Sequence, residues 1–155
     1  MVTFDDGSNN NSNLNPGGPL ESSRFWTQTN EPANLKRQAG TSLEQIRVVP
    51  NPYNIKAREL QFGTGAARDR ILFVDIPPFC TIKIFTERGD LIQTIEHTDG
   101  SGDEPWDQTT SSRQIVVSGV YIAHFEVTED YTDPNTGEMT FRKGESTYRK
   151  FVIIR

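Results

Sequence analysis

The stretch from Ser118 to Val127 constrains what this chain can fold into more than any other. If it is extended, one side is wholly apolar and consists of Tyr121, Ala123, Phe125 and Val127. The other side begins apolar and turns polar, in the order Val120, Ile122, His124 and Glu126. No helix would gather the first set into a single stripe. The pattern therefore predicts a central β-strand that requires neighbouring strands and a second layer over its apolar side.

Other apolar or alternating runs after Ile46 predict about seven strands and no helix, which is the pattern of an antiparallel β-sandwich. The predicted strands besides the central one are Ile46–Tyr53, Leu60–Phe62, Ile71–Ile76, Thr81–Thr86, Leu91–Glu96 and Tyr148–Arg155. Gly89 lies in the connection between two of them, where a positive φ is needed, and so predicts a hairpin. We expect the residues from His97 to Pro105 to form a polar loop.

Residues 1–44 differ in composition from the rest of the chain. Asparagine, serine, glycine and proline are frequent up to Pro19, and such a composition buries too little apolar surface to offset the entropy lost on folding. We therefore predict an irregular polar linker or extension at residues 1–44 and one domain at residues 45–155. Phe25 and Trp26 are adjacent aromatic residues in a polar stretch, and we expect them to dock on the domain or on a neighbouring molecule.

Composition argues against several classes of function. The formal net charge of −5 argues against nucleic-acid binding, which requires a basic patch. No run reaches the roughly 18 apolar residues that span a bilayer, and no signal peptide is evident. Cys80 is the only cysteine, which excludes an internal disulfide and a zinc cluster, and we expect it to be a buried structural thiol.

No catalytic constellation is evident, and we predict that the chain is not an enzyme. His97 and His124 are the only histidines, and neither lies near a serine or cysteine in a recognisable nucleophile motif. His124 falls on the more polar side of its strand, and we expect His97 to hydrogen-bond loop backbone. The tripeptide Arg88-Gly89-Asp90 matches an integrin-type sequence, but the hairpin turn already explains its glycine.

Two binding functions remain open from the residues alone. Calcium prefers oxygen ligands in flexible loops, and the candidates for such a site are Asp99, Asp103, Glu104 and Asp107. Their spacing does not fit an EF-hand, and the alternative is a solvated acidic turn. Trp106 begins a partly extended segment and either offers a platform for a glycan or fills the core; we predict the core. No other cofactor is indicated.

Five motifs, taken in order, resemble one family. They are Val48–Tyr53 (VVPNPY), Thr81–Ile92 (TIKIFTERGDLI), Trp106-Asp107, Ser118–Tyr121 (SGVY) and Lys150–Arg155 (KFVIIR). Their order and spacing resemble the C-terminal sorting domains of the type IX secretion system and the related immunoglobulin-like domain of the flagellar hook-capping protein. The resemblance covers about Ile46 to Arg155. It implies an immunoglobulin-like β-sandwich that passes through the periplasm, is read by the outer-membrane secretion translocon and reaches the bacterial cell surface.

Individual residues receive roles from the same resemblance. Structural roles fall to Asn51, Pro52, Gly89, Trp106, Gly119 and Tyr121. We expect Asn51-Pro52 to turn the first strand and Gly119 to make room for Tyr121. The surface recognised by the translocon or by a neighbouring subunit would be formed by Lys150, Phe151, Val152, Ile153, Ile154 and Arg155.

The leading hypothesis is therefore a non-catalytic sorting and attachment module of a secreted bacterial protein. One alternative is an extracellular structural or adhesive subunit that self-associates through its tail and sheet edges. Another is an accessory domain of a secreted hydrolase that binds glycan or calcium. Because neither an export signal nor a cargo domain is visible, we expect the chain to be part of a longer polypeptide.

Overall fold

Strands account for most of the regular structure in the computed structural model, which describes residues 36–57 and 70–155. The strands are β1 (Arg47–Val49), β2 (Tyr53–Asn54), β3 (Ile71–Val74), β4 (Cys80–Thr86), β5 (Leu91–His97), β6 (Asp103–Trp106), β7 (Gly119–Val127), β8 (Tyr131–Thr132), β9 (Met139–Phe141) and β10 (Ser146–Ile154). Two short 3₁₀ helices are Leu43–Gln45 and Ile55–Ala57. The all-β prediction is confirmed, but these ranges contain ten strands rather than about seven. The predictions for Phe25, Trp26 and Leu60–Phe62 concern residues outside them.

The predicted central strand lies at the centre of the larger sheet. This five-stranded sheet has the order β2-β10-β7-β4-β5, so β7 pairs with β10 on one side and with β4 on the other. The buried residues of β7 are those of the predicted apolar side, and the residues between them are half-buried. Burial follows the alternation of the sequence because one face of this sheet is covered and the other faces solvent.

A three-stranded sheet covers the apolar side of β7. Its order is β1-β3-β6, with β3 at its centre. Phe73 of β3 meets Phe125 of β7 edge to face at a centroid distance of 5.5 Å, and Trp106 of β6 meets Phe151 of β10 in the same way at 6.0 Å. The core lies between the two sheets, and the strands are distributed as in an immunoglobulin-like sandwich.

The first predicted strand, Ile46–Tyr53, is divided between the two sheets. Arg47–Val49 pairs antiparallel with β3, whereas Tyr53–Asn54 runs parallel to the end of β10. The peptide bonds before Pro50 and Pro52 are both cis. Proline has no N–H to donate to a ladder, so the chain leaves one sheet at Pro50 and joins the other after Pro52. The turn expected at Asn51-Pro52 is thus present, and the finding that the sequence did not predict is the second strand, which begins at Tyr53 in the other sheet.

The segment predicted to be a polar loop, His97–Pro105, contains most of a strand. β6 pairs with β3, and Pro105 lies opposite Leu72 while Trp106 lies opposite Ile71. A strand at the edge of a sheet tolerates a proline and acidic residues because one side of its backbone needs no partner. Trp106 therefore ends a strand, whereas the sequence had suggested that it begins an extended segment.

The hairpin predicted around Gly89 is present. β4 and β5 pair antiparallel, and the Thr86 amide donates to the Asp90 carbonyl at 2.9 Å across the turn. Gly89 has a φ of 92°, a left-handed conformation that is costly for a residue with a Cβ. The glycine is thus required by the backbone of the turn.

Residues 36–44, which the sequence assigns to the irregular extension, lie against the sandwich. The Gly40 amide donates to the Ile76 carbonyl at 3.0 Å, and the Gly102 amide donates to the Arg37 carbonyl at 2.8 Å. A Cβ at either glycine would collide with the backbone of the facing segment. The contacts of the sandwich therefore begin before residue 45.

Candidate functional site: the C-terminal strand

The closing motif Lys150–Arg155 forms the end of β10, and its side chains alternate between the two faces of the sheet. Phe151 and Ile153 lie in the core and are 0% and 1% exposed. Lys150, Val152 and Ile154 lie on the opposite face, where they are half-buried or exposed. A partner that contacts the folded domain can therefore reach only the second set.

Asn51 joins the first motif of the sequence to the last. Its Nδ2 donates to the Lys150 carbonyl and its Oδ1 accepts from the Val152 amide, both at 3.2 Å. The side chain thereby provides hydrogen-bond partners for a carbonyl and an amide of β10, as the backbone of a neighbouring strand would. Two residues further on, Tyr53 lies opposite Ile153 in the parallel ladder of β2 and β10. The turn around Asn51 thus holds the terminal strand directly.

Arg149 fastens the terminal strand to the residues that lead into β1. Its guanidinium donates to the carbonyls of Ile46 at 2.7 Å, Leu43 at 2.6 Å and Glu44 at 2.8 Å. Carbonyls at the end of a short helix lack partners within the helix, so a cation there is favourable. Arg149 was not singled out from the sequence, although its alternation with Phe151 places it on the inner side of β10.

The last residue is also fixed to the sandwich. The Arg155 amide donates to Ser118 Oγ at 2.9 Å, and its Nη2 donates to Oε1 of the buried Gln108 at 2.9 Å. Its Nε is buried and has no hydrogen-bond partner within the described ranges. Arg155 therefore belongs to the folded end of β10, and its side chain is not simply a surface charge.

Three further motif residues, Trp106, Tyr121 and Gly119, lie on the inner side of this strand or next to it. Trp106 is 2% exposed and donates its Nε1 hydrogen to the Thr109 carbonyl at 2.9 Å, which makes it a core residue rather than a glycan platform. The Tyr121 hydroxyl donates to the Val117 carbonyl at 2.7 Å and forms the tyrosine corner of immunoglobulin-like sandwiches. A Cβ at Gly119 would lie 3.7 Å from the Tyr121 ring, an ordinary contact, so the ring does not require a glycine there.

Two carboxylates of the calcium hypothesis, those of Asp99 and Asp107, accept hydrogen bonds from residues close to them in the sequence. The hypothesis concerns Asp99, Asp103, Glu104 and Asp107. Asp99 Oδ1 accepts from the Ser101 amide at 2.8 Å, and Asp107 Oδ1 accepts from Thr109 Oγ1 at 2.6 Å. Across residues 36–57 and 70–155, no three histidine, cysteine, aspartate or glutamate side chains are grouped so that they could hold a metal ion. The geometry therefore gives no support to calcium binding.

His97 lies buried at the end of β5 with a hydrogen-bond acceptor at each ring nitrogen. Its Nδ1 lies 2.7 Å from Glu104 Oε2, and its Nε2 lies 2.9 Å from the Ser101 carbonyl. A neutral imidazole has one N–H, so both contacts are satisfied only when the ring is protonated. Burial alone lowers the His97 pKa, but these hydrogen bonds and the charges of Glu104 and Asp99 outweigh burial and raise the pKa above its ordinary value.

Cys80 has the environment of a structural thiol. It is buried, and desolvation, reinforced by the charges of Glu104 and Glu96, raises the pKa of the thiol to about 12. A thiol with so high a pKa stays protonated at neutral pH and is a poor nucleophile. The expectation of a buried cysteine is thus confirmed.

Comparison with known proteins gives a structural likeness at low identity. No protein-family model and no curated protein matches the sequence. Within the described ranges no helix is long and apolar enough to cross a membrane. The fold is similar to part of PorZ from Porphyromonas gingivalis, with a TM-score of 0.49 and 20% identity over 76% of this chain and 12% of the PorZ chain. PorZ is an essential bacterial surface component of the type-IX secretion system.

Proposed function

We propose that this chain is a non-catalytic C-terminal sorting and attachment module, which directs a secreted bacterial protein through the outer membrane to the cell surface. The observation that carries the proposal is the pair of hydrogen bonds, each of 3.2 Å, that the Asn51 side chain forms with the backbone of Lys150 and Val152 in the terminal strand. Asn51 belongs to the first motif that resembles the sorting domains, and β10 contains the last. Motifs that lie far apart in the sequence thus support one another in the fold.

Residues of two other motifs pack against the inner face of the same strand. Trp106 and Tyr121 both pack on Phe151, at centroid distances of 6.0 and 5.8 Å. The motif residues thus contact one another only in the folded domain, whereas the residues of a linear peptide signal need no fold. We infer that the outer-membrane secretion translocon, the partner implied by the resemblance, recognises the domain in its folded state.

The buried positions of Cys80 and His97 support the non-catalytic part of this proposal. Cys80 and His97 are each 1% exposed, and both ring nitrogens of His97 already lie beside acceptors. Neither side chain presents a reactive atom to a substrate in solution, which is what nucleophilic or acid–base catalysis requires.

Surface delivery of a fusion protein tests the proposal. The full chain is placed behind an export signal and a folded reporter, in a bacterium with a type IX secretion system and in a mutant that lacks the translocon. We expect the reporter on the surface of the first bacterium, where added protease reaches it, and in the periplasm of the second. A reporter that stays in the periplasm of both, or reaches the surface of both, contradicts the proposal.

Deletion of Phe151–Arg155 provides a variant without the signal. It removes Phe151 and Ile153 from the core, and burial of such a side chain contributes about 1.5–3 kcal/mol. Against a typical stability of about 5–15 kcal/mol, this loss should unfold the domain and leave the reporter in the periplasm. Lys56→Ala, at an exposed position outside β10, is the matched control and should be delivered.

A further inference from the structure

The outer face of the five-stranded sheet is polar at one end and apolar at the other. Residues that lie opposite one another in β4, β7 and β10 form rows across this face. The polar end has the row Thr81, Glu126 and Ser146, and the apolar end has the rows Phe85, Ile122, Lys150 and Val120, Val152. The outer face of an antiparallel sandwich is normally polar, so the apolar end is unusual. The outer apolar face is defined here as Phe85, Ile122, Tyr148, Val152 and the central Lys150.

A shallow depression of about 600 Å³ lies where this face meets the middle row of the sheet. Its lining consists of Phe85, Ile122 and Tyr148 together with Gly89, Lys83 and His124. Tyr148 is 67% exposed, and Leu91, which lies opposite Phe85 in the hairpin, is 54% exposed. Single exposed apolar side chains are common, but a contiguous exposed patch marks a site of interaction.

Lys150 is the uncompensated charge of the outer apolar face. It lies opposite Ile122 in the ladder, and Tyr148 and Val152 flank it along the outer side of β10. It is exposed, and no salt bridge among the described residues includes it. An ammonium group surrounded by apolar side chains is complementary to an apolar surface that carries a carboxylate.

The acidic residues at the polar end of the sheet are already engaged. Lys83 Nζ lies 3.3 Å from Glu126 Oε2, and Thr81 Oγ1 donates to Glu96 Oε2 at 2.9 Å. In a symmetric dimer through this face, the same surface would meet itself. None of the five residues that define the outer apolar face is acidic, so a second copy would bring another Lys150 and no carboxylate from this face. The charges of the face therefore favour a different protein as the occupant.

We propose that the outer apolar face is the docking surface for the partner protein, which presents apolar side chains and a carboxylate opposite Lys150. This proposal rests on the proposed sorting function and names the face on which the terminal strand is read. Phe151 and Ile153 are in the core, so the outer side of β10 is the side that a partner can contact. An ion pair with Lys150 would be strengthened when the contact excludes water.

The fusion protein used for the sorting test also tests this face. In one variant Phe85, Ile122 and Tyr148 are each replaced by threonine, which suits a strand. In the matched control the exposed residues Ile115 and Met139, which lie outside β4, β7 and β10, are replaced by threonine. Thermal melting of the purified chains first establishes that each is folded. We expect about tenfold less reporter at the surface for the first variant and wild-type delivery for the control, because a few central residues carry most of the energy of an interface.

A charge substitution tests the carboxylate while leaving the apolar residues in place. Lys150→Glu puts a like charge opposite the partner's carboxylate and should reduce delivery about tenfold, whereas Lys150→Arg keeps the positive charge and should be delivered. Both variants should fold, because Lys150 is exposed. Lys143→Glu, in an exposed turn outside the face, controls for net charge and should be delivered like the wild type.

The outcomes distinguish this proposal from the sorting function itself. If the wild-type fusion is not delivered, the sorting function is wrong and the docking surface is wrong with it. If the wild type is delivered and the folded variants of the outer apolar face are delivered equally well, the sorting function stands and the docking surface is wrong. Light scattering gives a third outcome: a wild-type dimer that Lys150→Glu makes monomeric would assign the face to a second copy and overturn the proposal of a different partner.

Discussion

The two faces of the terminal strand have different surroundings, although their residues alternate one by one. On the inner face, Phe151 stacks on Tyr121 at 5.8 Å and meets Trp106 edge to face at 6.0 Å. On the outer face, Tyr148 is 67% exposed, and Lys150 forms no salt bridge with any described residue. Neighbouring residues of one strand therefore have separate roles: the inner ones stabilise the sandwich, and we expect substitution of the outer ones to leave it folded.

Truncation of the inner face should have the largest effect. Phe151→Ala removes a fully buried ring from between the two sheets, and such substitutions cost about 3–5 kcal/mol because a cavity remains. The free energy of unfolding, measured by denaturant titration, should fall by this amount. Lys150→Ala, on the adjacent outward position, should change it by no more than about 0.5 kcal/mol. Similar losses for the two variants would remove the distinction between the faces.

Loss of the side-chain partner of the strand should have an intermediate effect. Asn51→Ala leaves the Lys150 carbonyl and the Val152 amide without their hydrogen bonds, each of which contributes about 0.5–1.5 kcal/mol. We expect a loss of about 1–3 kcal/mol in the free energy of unfolding. Asn51→Asp keeps the acceptor for the Val152 amide and should cost less. A wild-type stability for Asn51→Ala would mean that β2 alone fixes the edge of β10.

Titration of His97 should have a smaller effect, because the ring keeps its packing and loses one of two hydrogen bonds. Its pKa in the folded protein lies above the ordinary value of 6.5, so its contribution to stability is complete below about that pH. The contribution is lost as the pH rises through the raised, folded-state pKa. The melting temperature should therefore fall over that range in the wild type and in His124→Gln on the outer face. The fall should be absent in His97→Gln; if it persists there, another group causes it.

Local signals predicted the strands whose faces have different environments. The alternation in β7 reproduces its burial residue by residue, because one side is covered by the second sheet and the other is not. The hairpin followed from Gly89, whose φ of 92° is a property of the turn itself. In both cases the physical cause of the structure lies within a few residues of the sequence pattern that predicts it.

Long-range contacts explain what the sequence did not predict. Asp103–Trp106 is polar and contains Pro105, and it is a strand only because β3 pairs with it. Arg149 resembles a surface charge in the sequence, yet it binds carbonyls of residues near Leu43, about a hundred positions earlier. The hydrogen bond between Asn51 and the Val152 amide of β10 likewise joins residues from opposite ends of the domain sequence. Such contacts are set by the tertiary arrangement of the sheets, which a local pattern does not contain.

Native-state hydrogen exchange of β10 tests most directly whether the terminal strand opens only when the whole sandwich unfolds. We expect the hydrogen-bonded amides of β10, including that of Val152, to exchange only through global unfolding, with the same opening free energy as the slowest amides of β7. Exchange of the Lys150–Ile154 amides through local fraying, at an opening free energy well below that of β7, would show that the strand detaches from a folded sandwich. That result would contradict recognition through the outer face of an intact sheet.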